Sequence, residues 1–191
     1  KHKSKPIEEL IREAEFLAAN NTKEIVIIAQ DTTDYGTDLY GQIKTTELLN
    51  NLSKIDGIEW IRLMYAYPSH FPDNLIEEIN NNPKICNYVD IPLQHISDDV
   101  LKSMRRGVTG KRTRELINRL RERIPDITLR TTFIVGYPNE TEKEFEELCS
   151  FVQESKFDRA GTFTYSPEEN TSSFILGDPV PEEVKNERKD R

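Results

Sequence analysis

Short β-branched runs alternate with amphipathic segments along almost the whole chain, and this alternation constrains the fold more than any single residue does. Residues 24–29, 60–66, 89–93, 127–135 and 160–165 read as five strands, the first four rich in Val, Ile and Leu and the last in Thr and aromatic residues. Apolar residues at helical spacing follow each of the first four: Leu48, Leu49 and Leu52; Leu75, Ile76 and Ile79; Val100, Leu101 and Met104; Phe145, Leu148 and Phe151. A leading helix from Pro6 and another around Leu116, Ile117 and Leu120 complete the pattern. The repeat of roughly 30–40 residues is that of a βαβ unit, whose right-handed crossover makes neighbouring strands parallel. The expected fold class is α/β, either a partial (β/α) barrel or a doubly wound sheet.

In such folds ligands bind at the carboxyl ends of the strands. Five polar loops fall there, all but the third containing Gly or Pro: 30–36, 67–70, 94–97, 136–140 and 165–167. The third illustrates the local logic. A strand at 89–93 breaks at Gln94 and His95, and Ser97 restarts the chain as a helix N-cap, with Asp98 and Asp99 in the dipole-favoured first turn. Gly107 then closes that helix, and Arg105 and Arg106 sit at its far end. Asp73 reads as the cap of the helix that Pro83 ends, and Thr141 with Glu144 as a capping box. Either arginine serves a ligand or a surface ion pair. Asp31 and Asp34 are acid/base groups or turn residues, and Tyr35, Tyr40, Tyr67 and Tyr137 line a groove or pack. His70 and His95 read as loop-packing or substrate-facing residues.

A chain of 191 residues buries roughly 70% of its unfolded surface, enough for one sizeable core. Its 34 acidic residues against 26 Lys and Arg argue against a nucleic-acid clamp. No apolar run approaches the length of a membrane span, and Cys86 and Cys149 offer neither a disulfide framework nor metal-ligand spacing. A reducing cytoplasmic setting is expected.

Three groups of residues carry a resemblance: Ile134-Val135-Gly136-Tyr137-Pro138-Asn139-Glu140-Thr141, Asp90-Ile91-Pro92-Leu93-Gln94, and Met104-Arg105-Arg106-Gly107. Together they resemble the radical S-adenosylmethionine (SAM) barrel of the methylthiotransferases. Tyr65-Ala66-Tyr67-Pro68-Ser69-His70-Phe71 and Phe163-Thr164-Tyr165-Ser166-Pro167-Glu168-Glu169 are similar to the branch that modifies a ribosomal protein, as are Ala29-Gln30-Asp31-Thr32 and Gln94-His95-Ile96-Ser97. The tRNA branch usually reads Gly-Gln-Asn-Val and Gln-Ser-Gly-Ser at these places. Asn139 stands where the family more often has Gly, a change that Asn's tolerance of positive φ makes mild.

The resemblance implies a partial barrel over residues 1–178, its first strand and cluster loop missing. Residues 179–191 begin a linker helix toward a TRAM domain. It implies SAM and, in the full-length enzyme, 4Fe-4S clusters, none held by this stretch, whose cysteines would lie before Lys1. By the same resemblance Gln94 bonds the SAM ribose, Arg106 faces its carboxylate, and the backbone near Gln30 and Asp31 takes its ammonium. Ile134, Gly136, Tyr165 and Ser166 flank the adenine. The implied reaction adds a methylthio group to the β-carbon of an aspartate in a small-subunit ribosomal protein, free or in the assembled subunit, without RNA contact by this domain. Two alternatives stay open: a tRNA adenosine methylthiotransferase, and a cofactor-free barrel.

Overall fold

The structure, a computed structural model, describes residues 3–191. Lys1 and His2 lie outside the described residues, so His2 is not placed. The chain divides into two compact units, Lys1–Ile91 with Asn118–Leu129, and Pro92–Ile117 with Arg130–Arg191.

The first unit contains α1 (Ile7–Ala19), β1 (Glu24–Ile27), α2 (Thr37–Tyr40), α3 (Thr45–Ser53), β2 (Trp60–Leu63), a 3₁₀ turn (Pro68–His70), α4 (Asp73–Asn81) and β3 (Ile85–Asp90). The strands follow in sequence order and pair in parallel, Ile25 beside Ile61 and Leu63 beside Val89. Leu48, Leu49, Leu52, Leu75, Ile76 and Ile79, the apolar faces of α3 and α4, are buried as their helical spacing requires.

Four local readings change. The first strand is not buried on both faces: Ile25 is covered, but Val26 is 51% and Ile28 65% exposed. Alternate side chains of a strand face opposite sides, so a continuous apolar run does not by itself show two covered faces. The third strand occupies Ile85–Asp90, earlier than 89–93, because Ile85 takes the register place beside Ile61; Pro92, which has no N–H, lies beyond the strand. Asp73 is the first residue of α4, whose cap is Pro72. Its carboxylate instead meets Arg123 at 3.2 Å. The loop after β1 also folds a short helix, α2, between Gly36 and Gly41, both at positive φ.

The second unit contains α5 (Asp98–Ser103), the start of α6 (Gly110–Arg123), nearly all of β4 (Thr128–Val135), α7 (Glu142–Ser155), β5 (Arg159–Thr164), a 3₁₀ turn (Phe174–Leu176) and α8 (Glu182–Asp190). β4 and β5 are parallel over six residue pairs, Arg130 beside Arg159 through Val135 beside Thr164. Phe133, Phe151 and Phe157 meet edge to face with ring centroids 5.7–6.3 Å apart, an arrangement aromatic quadrupoles favour. The expected capping box opens α7: the Thr141 N–H reaches Glu144 at 3.1 Å and its hydroxyl also donates to that carboxylate. The hydroxyl bond is the main reason the Glu144 carboxyl sits below its ordinary pKa. Ser97 takes the cap position of α5 but makes no side-chain cap bond, and Arg105 joins Gly107 in the left-handed region. Five parallel strands alternating with helices make this an α/β fold. Among the described residues no helix is long and apolar enough to cross a membrane.

Candidate functional site

After β3 the chain leaves the ladder, and within the second unit Gln94 rejoins one for a single residue. Gln94 N–H donates to Thr132 O at 2.9 Å, and Gln94 O accepts the Ile134 N–H at 2.8 Å, a parallel bridge opposite Phe133. Its φ is +71°, a conformation that costs a residue with a Cβ roughly 1–2 kcal/mol. The two backbone bonds hold it there, and such held strain gathers at binding sites.

The Gln94 side chain lines a cleft of about 540 Å³, a size typical for a small ligand or cofactor. Arg106, Ser166, Thr171 and Ser173 supply further polar groups, and Met104, Ile134, Tyr137, Phe163 and Tyr165 the apolar wall. Arg106 follows α5 directly. Its Nη2 donates to Pro92 O at 2.7 Å, which aims a half-buried guanidinium from a fixed anchor, whereas Arg105 is exposed. Guanidinium, carboxamide and hydroxyls against aromatic and aliphatic walls make a donor set suited to an amphipathic ligand with a carboxylate, a diol and a flat heterocycle.

The wall is held from behind. Tyr137 and Tyr165 are buried and meet edge to face at 5.1 Å, and Ser103 Oγ reaches the Tyr137 hydroxyl at 3.4 Å. Gly136, the turn residue at the end of β4, has φ +73° and its N–H donates to Glu140 Oε1 at 2.8 Å. The other Glu140 oxygen lies 3.0 Å from His95 Nε2. His95 Nδ1 accepts the Ser97 N–H at 3.0 Å, which puts the ring proton on Nε2, facing the carboxylate. Both side chains are fully buried, and Arg188 Nη1 supplies the countercharge at 2.6 Å.

Of the residues expected to hold a ligand, Gln94, Arg106, Ile134, Tyr165 and Ser166 therefore line one cleft. Gly136 does not line it; its Cα faces Lys185 instead. Gln30 and Asp31 belong to the first unit. There Asp31 accepts the Thr33 N–H at 2.9 Å and the Thr33 hydroxyl at 2.6 Å, the bonding of a turn residue, and Asp34 takes the Thr37 hydroxyl at 2.7 Å. Tyr35 and Tyr40 bond the Lys5 carbonyl and the Ile7 N–H, tying down the start of α1, and burial pushes the Tyr35 hydroxyl pKa up. Asn139 is not among the positive-φ residues, so its turn makes no demand for glycine. Sequence reasoning missed the pairing of His95 with Glu140 and the parts played by Lys185 and Arg188. Glu140 lay inside a quoted motif, but nothing in the spacing marked its partners.

The radical SAM superfamily profile matches residues 1–152, and the chain belongs to that superfamily. It is 57% identical over 187 residues to the ribosomal protein uS12 methylthiotransferase RimO of Christiangramia forsetii, covering 98% of this chain and 42% of that protein. To RimO of Flavobacterium johnsoniae it is 56% identical, covering 98% and 43%. The chain thus spans less than half the length of these relatives. Among solved structures, coproporphyrinogen III oxidase (HemN) from Escherichia coli, a radical SAM enzyme, superposes with a TM-score of 0.70 at 13% identity, over 95% of this chain and 43% of that one. The likeness places the α/β fold among the radical SAM partial barrels.

Proposed function

We propose that this chain is the SAM-binding part of a radical SAM methylthiotransferase that modifies an aspartate of a small-subunit ribosomal protein. The observation that carries the reading is the convergence of Gln94, Arg106, Ile134, Tyr165 and Ser166 on one cleft. The residues fit the cofactor in kind. Arg106 offers a fork matched to the methionyl carboxylate, the Gln94 carboxamide both donates to and accepts from a ribose diol, and Ile134, Tyr137 and Tyr165 give a flat apolar wall for adenine. When bound, SAM would supply radical chemistry at the target carbon, and Gln94, Arg106, Ile134, Tyr165 and Ser166 would hold it. This chain's residues bind, orient and shield it.

The cluster does not fit here. Among the described residues no group of three or more His, Cys, Asp or Glu is placed to hold a metal ion. Cys86 and Cys149 lie one in each unit, and burial raises both thiol pKa values, opposite to what ligation needs. We assign the cluster ligands to the remainder of the full-length protein and derive no step through them.

The ribosomal substrate rests on the RimO relatives and on charge. The segment 30–39 holds Asp31, Asp34 and Asp38 without a Lys or Arg, which suits a basic polypeptide and repels a phosphate backbone. We assign no RNA contact to this domain, and a ribosomal substrate puts the enzyme in the cytoplasm. The test is anaerobic turnover of the full-length protein with purified uS12, with assembled small subunits, and with tRNA, read by mass spectrometry. A methylthio adduct on a uS12 aspartate is expected. An adduct on tRNA alone assigns the protein to the other branch of the family, and no adduct on any substrate defeats the proposal.

A further inference from the structure

Lys185 is an anomaly on α8. It lies on a helix on which Glu182, Glu183, Glu187, Lys189 and Asp190 are exposed, yet it is 1% exposed. A lysine is almost never buried without partners, and this one has three. Its Nζ donates to Tyr165 O at 3.1 Å, lies 2.6 Å from the Asp178 carboxylate and 3.5 Å from Glu182. Its aliphatic stem packs so closely on Gly136 that a Cβ there would stand 2.4 Å from Lys185 Cγ. One side chain thus touches the backbone on both sides of the cleft wall, at the end of β4 and at the end of β5.

One turn further along α8, Arg188 reaches the same loop. Its Nη1 donates to Glu140 O at 3.1 Å and to Glu140 Oε1 at 2.6 Å, the oxygen that also takes the Gly136 N–H. Its guanidinium lies 5.2 Å from the Phe145 ring centroid, a cation–π distance. Neither side chain lines the cleft. Both fix residues next to it: Lys185 the carbonyl of Tyr165, a lining residue, and Arg188 the turn that leads from Ile134 to Tyr137.

We propose that Lys185 and Arg188 are positioning residues, and that α8 sets the spacing of the two loops that grip the cleft's ligand. Tyr137 and Tyr165 stack edge to face because the backbones that carry them are tied to one helix. Moving α8 by a fraction of an ångström changes both loops together, so ligand affinity is coupled to whatever holds α8 in place. The inference deepens the SAM reading of the cleft and rests on it for the identity of the ligand.

The experiment uses the full-length protein and S-adenosylhomocysteine, which binds as SAM does without undergoing cleavage. Lys185→Met keeps the stem against Gly136 and removes the ammonium; Arg188→Ala and the conservative Arg188→Lys complete the set. Calorimetry is expected to show affinity weakened by about 5- to 150-fold in Lys185→Met and Arg188→Ala, the range of ordinary coupling between sites. Arg188→Lys recovers part of the loss. Amide exchange, measured without ligand, should rise in peptides covering residues 134–141 and 163–173 in the two damaging variants while other segments keep wild-type protection. Unchanged exchange in both peptides overturns the proposal, and so does wild-type affinity in a variant whose thermal midpoint has fallen, since that is the mark of a merely structural contact. If the wild-type protein itself fails to bind S-adenosylhomocysteine, the cofactor reading falls, and the exchange data alone then decide whether α8 holds the loops.

Discussion

Glu140 offers a sharp perturbation because its carboxylate is fully buried and meets three donors: His95 Nε2 at 3.0 Å, Gly136 N at 2.8 Å and Arg188 Nη1 at 2.6 Å. Glu140→Gln preserves shape but replaces one acceptor oxygen with an NH₂ group. If that NH₂ faces His95, two donors oppose each other. The ring cannot give way by moving its proton to Nδ1, because Nδ1 already accepts the Ser97 N–H. If the NH₂ is turned the other way, it opposes Gly136 and Arg188. At least one buried donor is unmet in either orientation, at about 1–3 kcal/mol, and Arg188 loses the negative charge it faces as well. Glu140→Ala abandons all three donors and should cost about 3–5 kcal/mol, as breaking a buried pair does. Urea denaturation of the protein, followed by circular dichroism and compared at constant m value, measures both. A Glu140→Gln variant within about 0.5 kcal/mol of wild type would refute the network as drawn, since surface substitutions commonly fall in that range.

Two other perturbations follow from the same geometry. Gly136→Ala puts a methyl 2.4 Å from Lys185 Cγ at a φ of +73°, so overpacking and backbone strain should together cost about 2 kcal/mol or more, read as a lowered urea midpoint. Thr141→Ala removes the α7 cap for about 1 kcal/mol near neutral pH. Because the Thr141 hydroxyl holds the Glu144 carboxyl below its ordinary 4.5, that share of stability is complete above the unfolded pKa and is lost as pH falls through the lower folded value. The difference between wild type and Thr141→Ala should therefore shrink as pH is lowered from about 5 toward 3, and a difference independent of pH would contradict this.

The first four strands were legible as β-branched runs bounded by Gly, Pro or polar residues, the fifth by its alternating Thr and aromatic residues, and the α7 cap because Thr141 and Glu144 act within one helical turn. The start of β3 was not, since it is set by pairing with β2 rather than by local composition. Asp73 looked like a cap, but Pro72 takes the capping position and Arg123 lies near enough to engage the carboxylate. Gln94, Arg106, Ile134, Tyr165 and Ser166 were reached through a family resemblance, and the fold brings them together from four separate stretches. Lys185 and Arg188 gave no signal. A buried lysine differs from a solvated one through its tertiary surroundings, here Gly136 and Tyr165, and these stand 49 and 20 positions away.

The central claim, that the cleft beside Gln94 and Arg106 takes SAM, is tested most directly by adjacent arginines with different surroundings. Arg106 is half-buried, anchored on Pro92 O and lines the cleft; Arg105 is exposed and does not line it. Calorimetric titration of the full-length protein with S-adenosylhomocysteine should show Arg106→Ala losing about 2–5 kcal/mol of affinity, the usual cost of truncating one partner of a buried, hydrogen-bonded charge pair. Arg105→Ala should bind as wild type, and circular dichroism should show both variants folded. Equal affinities for Arg106→Ala and wild type would contradict the assignment of the cleft.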